Sequence, residues 1–219
     1  MKKKENRNNY IYIVLVKALT GLGKFARLTG KYEYTHIAVC LDEKLDKFYT
    51  FSRKKHHAPF DCGFMIETLD CYAFDKHKNI KLKIFKIPVQ IENYNEIKKY
   101  INKIQNDKEY TFNIFSMITM PIFHGVKIYK SHNCMSFVGK IIQLSKTIKM
   151  TKPYYKYNIK EFDKLLVDYL YKEEYFNKEK IETKNYMTRV GILNNLINCI
   201  KLNSRIFYRL IFKRENKNE

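Results

Sequence analysis

The sequence lacks several features that would assign a protein to a well-known class. It contains no tryptophan, and none of its 5 cysteines belongs to a Cys-x-x-Cys pair. An odd number of cysteines without such pairs argues against a disulfide framework and against a zinc ribbon. No apolar run approaches the roughly 18 residues that a membrane-spanning helix requires. We therefore predict reduced thiols, a cytoplasmic location and no spanning segment.

Acidic residues are also scarce, and the formal net charge is +20. Such a charge is typical of proteins that bind nucleic acid, an anionic polymer or a membrane surface. A nucleotide-biased genome also produces this mixture of lysine, asparagine, isoleucine, tyrosine and phenylalanine, so both explanations stay open. No helix-turn-helix, zinc-finger or RNP-like signature accompanies the charge, which disfavours a nucleic-acid partner.

The N-terminal segment resembles the opening of a secretory signal, because residues 1–9 are basic and residues 10–16 are apolar. Lys17 interrupts the apolar run early, and no small-x-small cleavage site follows closely. We therefore expect no export. Residues 10–16 are rich in β-branched and aromatic side chains without polar alternation, which predicts a strand buried on both faces.

Further strands and helices follow along the chain. Residues 34–41 and 47–51 are strand-like runs joined by a polar connection of hairpin length, which predicts an antiparallel pair. Residues 60–69 predict another strand. In residues 81–87 apolar residues alternate with lysines, which predicts a strand with one solvent-facing side. Helices are predicted over residues 22–29, 94–104, 113–123 and 159–171.

The C-terminal region differs in character from the rest of the chain. Residues 183–214 contain seven basic residues and no acidic one, interleaved with apolar residues at helical spacing. A basic amphipathic helix of this kind can lie on an anionic membrane or hold a partner. It can equally pack on the domain with its lysines in water. We assign residues 1–172 to a main domain and residues 173–219 to a basic helical appendage, and expect any membrane association to be peripheral.

Cys134 lies at the predicted start of an amphipathic helix. Phe137 begins an apolar stripe with the period of a helix, and Ser131 and Asn133 are of the residue types that cap helix N-termini. In the first turn, the unpaired amide groups and the positive end of the helix dipole favour a thiolate, the form that attacks carbonyls. The alternative is a buried cysteine that packs as a small hydrophobic residue.

A thiol nucleophile needs a base within hydrogen-bond reach, and the base needs a group that fixes its tautomer. Of the 6 histidines, His36 is the one placed inside a strand-like run, where a rigid scaffold can aim it. A lone histidine in a strand is usually structural, but its combination with Cys134 favours a catalytic pair.

A metal site is the weakest of the candidates. Cys62, Cys71, His56 and His57 form the best set of ligands, but their spacing matches no standard site. We therefore predict no metal and no cofactor.

Four short motifs occur in an order that resembles a known enzyme family. They are YTHIAV (residues 34–39), YTFSRK (residues 49–54), GFMIE (residues 63–67) and NCMSFV (residues 133–138). Together they resemble the circularly permuted NlpC-type branch of the papain-like cysteine hydrolases, relatives of the lecithin:retinol acyltransferase fold. In this branch the histidine strand precedes the cysteine helix. The resemblance covers residues 10–166.

The resemblance implies an α+β fold in which a small antiparallel sheet packs against helices. It also implies an acyl-enzyme mechanism on an amide or ester, with Cys134 as nucleophile and His36 as general base. The backbone N–H of Cys134, at the helix start, would donate to the oxyanion. Met135-Ser136 stands where the family usually has Ser-Gln or Ser-Glu, so the sequence departs from the family pattern at that point.

Two residues compete for the role of third catalytic residue. Ser52 lies near the position where the family has a polar orienting group, and Glu67 follows in the next strand-like segment. Glu67 is favoured, since a carboxylate stabilises an imidazolium better than a hydroxyl does. Alternatively, Arg53 pairs with Glu67 and leaves the role to Ser52.

Two functional hypotheses follow. The first is a cysteine hydrolase whose substrate is a peptide, a cell-wall fragment or a lipid-like amide or ester. The second is an inactive scaffold that binds an anionic membrane surface or nucleic acid through its basic face and tail.

Overall fold

The computed structural model describes residues 9–17, 32–73, 79–177 and 185–213. The helix predicted over residues 22–29 lies outside these ranges. The described elements form an antiparallel sheet with helices packed against it, which confirms the α+β fold class.

The described strands are numbered in chain order. They are β1 (Asn9–Val16), β2 (His36–Cys40), β3 (Phe48–Arg53), β4 (Cys62–Glu67), β5 (Asn79–Val89), β6 (Thr111–Phe112), β7 (Ser131–His132) and β8 (Leu170–Asn177). Six of them form one sheet in the order β4-β3-β2-β1-β5-β8, in which every neighbouring pair is antiparallel. The short strands β6 and β7 pair in parallel just before the cysteine helix.

The described α-helices are α1 (Ile91–Asn106), α2 (Ile114–Ile118), α3 (Met120–Phe123), α4 (Cys134–Ser145), α5 (Ile159–Leu165) and α6 (Ile192–Phe212). The helix predicted over residues 159–171 therefore ends early. From Leu170 the chain forms β8, which pairs with the open edge of β5. Glu173 lies 3.2 Å from Lys83 Nζ and 3.5 Å from Lys81 Nζ, so cross-strand ion pairs accompany the backbone pairing. The domain boundary predicted after residue 172 falls inside this strand.

Both faces of the central strands are covered. The prediction that β1 is buried on both faces is confirmed, because its residues from Ile11 to Val16 are all buried. The prediction that β5 has one solvent-facing side is wrong. Ile80, Leu82 and Ile84 belong to one core, and Phe85, Ile87 and Val89 belong to the other. Lys81 and Lys83 of β5 are partly buried and form ion pairs with carboxylates of neighbouring segments.

Helix α4 packs against β2 and β3 near the middle of the sheet. Phe137, Val138, Ile141 and Ile142 are fully buried there, as the apolar stripe predicted. Gly139 permits a close approach of another chain segment, since a Cβ at this position would lie 2.5 Å from the carbonyl oxygen of Tyr154. The packing of α4 on β2 places Cys134, the first residue of the helix, near His36, the first residue of the strand.

Within the described ranges, no helix has the length and hydropathy needed to cross a bilayer.

Candidate active site

Cys134 is the first residue of α4, and a capping box fixes its position. The side chain of Asn133 accepts a hydrogen bond from the backbone N–H of Ser136 (2.8 Å). In return, the hydroxyl of Ser136 accepts one from the N–H of Asn133 (3.0 Å). The capping box thus gives hydrogen-bond partners to two backbone amides that would otherwise be unpaired. Ser136 therefore has a structural role at the start of α4. Cys134 is 8% exposed, so its sulfur lies at the floor of a cleft.

His36 is the first residue of β2, and its ring lies between two partners. Its Nε2 atom is 3.0 Å from Oε2 of Glu67. The ring also interacts electrostatically with the side chain of Cys134, which lines the same cleft. The side chains of His36 and Glu67 are 13% and 3% exposed, so this pair is largely shielded from water. The structure therefore brings together Cys134, His36 and Glu67 from three separate elements.

Glu67 ends β4 and is held by three groups. The hydroxyl of Ser52 donates to Oε1 (2.5 Å), and the hydroxyl of Tyr72 donates to Oε2 (2.5 Å), the same oxygen that faces His36. Ser52 and Glu67 therefore occupy successive places in one network, with the carboxylate next to the imidazole. Arg53 donates to the backbone carbonyl of His56 (2.9 Å) instead of taking Glu67 as its partner.

Tyr72 was not among the residues nominated from the sequence. It follows the short 3-10 helix Leu69–Cys71, which turns the chain back after β4. This turn returns the phenol to Glu67, five positions earlier in the chain. A tyrosine with no motif around it carries no sequence signal for such a role.

The network perturbs the protonation of its members. Burial disfavours the charged form of His36, but the charge and hydrogen bond of Glu67 and the interaction with Cys134 outweigh it and raise the pKa of the imidazole. Burial also opposes ionisation of Glu67, yet the charge of His36 and the donors from His36, Ser52 and Tyr72 lower the pKa of the carboxyl. Burial and the adjacent Glu67 raise the pKa of Tyr72. The pair is thus an imidazolium and a carboxylate, with Tyr72 as a neutral donor.

A second histidine lies beside the cysteine but has a different environment. His132 is buried, and its Nε2 atom is 2.8 Å from the hydroxyl of Tyr100. Burial, with the charges of Lys140 and Lys127, lowers the pKa of His132 to about 3. His132 therefore stays neutral and belongs to the aromatic packing around Phe137.

The cleft above Cys134 has a volume of about 150 Å³, comparable to a cavity that holds a benzene molecule. Besides the residues described above, its wall includes Thr35, Met117 and Tyr186. The hydroxyl oxygen of Thr35 is buried and has no hydrogen-bond partner among the described residues. It is thus a donor that a bound ligand can use.

The metal hypothesis gains no support from the geometry. Cys62 and Cys71 line the cleft, while the rings of His56 and His57 contact each other. In the part of the chain that the structure describes, no group of three or more His, Cys, Asp or Glu side chains is arranged to hold a metal ion.

Comparison of the chain with protein-family models, curated proteins and solved structures returned no match.

Proposed function

We propose that this protein is a cysteine hydrolase that forms an acyl-enzyme at Cys134 with an amide or ester substrate. The observation that carries the proposal is the largely buried His36 ring, which lies between Cys134 and the carboxylate of Glu67 in the wall of one cleft. A nucleophile, a base and a group that orients the base are the three parts that such chemistry needs.

The resting state of the proposed enzyme holds a proton on His36. Nε2 of His36 faces Glu67, and we assign the other ring nitrogen, Nδ1, to Cys134. A positive imidazolium beside the sulfur favours the thiolate by its charge. The buried carboxylate of Glu67, held by Ser52 and Tyr72, keeps the ring in this orientation.

In the acylation step the sulfur of Cys134 attacks the substrate carbonyl carbon, and a C–S bond forms as the carbonyl π electrons move to oxygen. The backbone N–H of Cys134, at the start of α4, donates to this oxyanion. His36 then gives its proton to the leaving nitrogen or oxygen as that bond breaks. The products of the step are a thioester and the free amine or alcohol.

In deacylation His36, now neutral, removes a proton from water as the water oxygen attacks the thioester carbonyl. Collapse of the second tetrahedral intermediate breaks the C–S bond and releases the acid. The sulfur leaves as a thiolate beside the reprotonated His36, which restores the resting state. Peptides, cell-wall fragments and lipids all contain suitable carbonyls.

The pairing of Cys134 with His36 is tested by alkylation. We expect iodoacetamide to modify Cys134 at least about tenfold faster than Cys199 near pH 6, far below the usual thiol pKa of about 8.5. His36→Ala should remove this advantage, whereas His57→Ala, a change at a histidine of the neighbouring loop, should leave it intact. Peptide mass spectrometry locates the label. Equal labelling of all cysteines, or a rate that ignores His36, would reject the proposal.

The acyl-enzyme is tested directly with p-nitrophenyl acetate. We expect a rapid release of one equivalent of p-nitrophenol and an acetyl group on the peptide that contains Cys134. Cys134→Ser should abolish both signals, and Cys199→Ser should abolish neither. Acetylation spread over lysines, without a burst, would contradict the mechanism.

A further inference from the structure

Helix α6 packs on the protein through a stripe that combines apolar and polar side chains. Leu202, Ile206 and Arg209 are its buried residues, and Asn195 on the same side donates to the carbonyl of His57 (3.2 Å). These positions recur at intervals of three, four or seven, so they form one stripe of the helix. Two of these four residues, Asn195 and Arg209, are strongly polar.

The opposite stripe of α6 is apolar and faces water. Leu193, Leu196, Ile200, Phe207 and Ile211 recur at helical spacing, and each is between 52% and 69% exposed. In a helix that packs on its own domain, the apolar stripe is expected to face the core. Here it faces outward along the length of the helix.

The orientation of α6 is held by Arg209. Its guanidinium donates to the carbonyl oxygens of Glu109 (2.6 Å), Tyr129 (3.1 Å) and Lys130 (2.9 Å). It also donates to the hydroxyl of Ser131 (3.2 Å), in the strand before Cys134. Rotating the helix to bury its apolar stripe would break all four bonds and take the buried guanidinium away from its acceptors.

A second apolar group lies on α2 and α3, and α2 contacts α6. Ile118, Ile122 and Phe123 are mostly exposed, and Ile122 reaches 72%. We call these three residues, together with the apolar stripe of α6, the outer apolar surface. Exposed apolar groups of this extent mark an interaction site in soluble domains.

The charges around this surface are positive. Lys201 and Arg205 lie between the apolar and packed sides of α6, and residues 185–213 contain no acidic residue. Asp107 and Glu109, in the region that Arg209 contacts, are both paired with Lys130, at 2.7 and 2.5 Å. The whole chain carries a net charge of +20.

We propose that the outer apolar surface docks the protein on an anionic membrane, with α6 lying in the plane of the interface. A bilayer accepts an apolar stripe at the boundary of its acyl region, while its anionic headgroups attract the lysines and arginines beside it. A second copy of the chain is a poorer occupant, since it brings another +20 charge to the same surface. Docking of this kind does not depend on the chemistry of Cys134.

Docking would also orient the cleft. Met117 of α2 is part of the cleft wall and is itself partly exposed beside Ile118. Tyr186, just before α6, lines the same cleft. The opening above Cys134 therefore lies next to the elements that meet the bilayer.

The absence of tryptophan makes the docking test direct. Phe207→Trp places a single fluorophore on the outer apolar surface, and Tyr175→Trp places the matched control on β8, at a side chain that is 71% exposed. The probe is a vesicle of phosphatidylcholine with about 30% phosphatidylserine, in low salt. We expect a blue shift and protection from acrylamide for Phe207→Trp and little change for Tyr175→Trp. Equal changes in both variants, or none in either, would overturn the proposal.

A charge-insertion variant separates docking from simple adsorption of a basic protein. Leu196→Glu/Ile200→Glu alters only exposed side chains, so we expect it to fold, with circular dichroism as the check. Its partition onto the same vesicles should fall at least about tenfold, while Tyr175→Glu should have little effect. Unchanged binding of the double variant, or equal binding to pure phosphatidylcholine vesicles, would overturn the proposal. So would a lipid-free dimer, seen by analytical ultracentrifugation, that Leu196→Glu/Ile200→Glu dissociates.

Discussion

Helices α4 and α6 have similar sequence patterns but opposite surroundings. Both carry an apolar stripe at helical spacing. The stripe of α4 is fully buried against the sheet, whereas most of the stripe of α6 faces water. Periodicity therefore establishes that a helix has an apolar side, but the tertiary structure decides what that side meets.

The difference follows from what holds each helix. Helix α4 is fixed by the capping box at Asn133 and by packing on β2 and β3, so its apolar side and its attachment coincide. Helix α6 is attached through the buried side chains of Leu202 and Ile206 and through hydrogen bonds from Arg209 and Asn195, so its attachment lies opposite its exposed apolar stripe. The arrangement of α4 gives a rigid site at Cys134. The arrangement of α6 leaves an apolar surface exposed to a partner.

The largest expected effect is a contrast between two phenylalanines. Phe137→Ala in α4 should lower the free energy of unfolding by about 3–5 kcal/mol, because it opens a cavity among Phe51, Phe64 and Tyr100. Phe207→Ala in α6 should change it by less than about 0.5 kcal/mol in water, because Phe207 is exposed. Urea unfolding of both variants measures the contrast. Similar losses would mean that the apolar side of α6 is covered in solution.

A smaller effect separates two arginines one turn apart in α6. Arg209→Ala should cost about 2 kcal/mol and speed proteolysis within α6, because the four hydrogen bonds that join the helix to residues 109 and 129–131 are lost. Arg205→Ala removes the same type of side chain from an exposed position and should cost less than about 0.5 kcal/mol. Urea unfolding and limited proteolysis provide the two measurements. Equal behaviour of the variants would show that Arg209 does not hold the helix.

The smallest effect is a pH dependence of stability that comes from the site. The pKa of His36 is raised in the folded protein from 6.5, so its contribution is complete below that value and is lost as the pH rises through the folded pKa. The pKa of Glu67 is lowered from 4.5, so its contribution is complete above that value and is lost as the pH falls through the folded pKa. The stabilisation of the pair is therefore greatest between these two reference values.

Glu67→Gln tests this pH dependence. The stability advantage of the wild type over Glu67→Gln should be largest near pH 5.5 and should shrink above about pH 6.5, by up to about 1.4 kcal/mol per pH unit. Urea unfolding between about pH 5 and 9 gives the profile, and Asp61→Asn on the surface provides the control. A constant difference across this range would argue that His36 does not carry the charge.

Much of the local structure could be predicted from the sequence. The strand over β1, the antiparallel pair of β2 and β3, the helix α1 and the start of α4 at Cys134 all follow from local patterns of side chains. His36, Glu67 and Ser52 were nominated as partners of Cys134, and the structure brings these four residues into one network. The preference for Glu67 over Ser52 as the partner of His36 rests on residue type alone in the sequence, and the structure places the carboxylate next to the ring and Ser52 behind it.

Three features could not be predicted from local patterns. Residues 166–171 have apolar side chains compatible with a helix, but the free edge of β5 draws the chain from Leu170 onward into a strand. The hydroxyl of Tyr72 donates to Glu67 because the 3-10 helix Leu69–Cys71 turns the chain back, and no sequence motif predicts this turn. The alternating lysines of β5 predict one solvent-facing side. In the structure, buried apolar residues of β5 belong to two different hydrophobic cores, one on each face of the sheet.

The sequence by itself determined the composition, the charge of +20, the apolar periods and the residue types able to do thiol chemistry, because each is local to the chain. Only the tertiary structure decided that His36 lies between Cys134 and Glu67, since these residues belong to three elements that meet across the sheet and α4. It also decided that the apolar side of α6 faces outward. That outcome depends on four hydrogen bonds from Arg209 to atoms some 80 to 100 positions away in the chain.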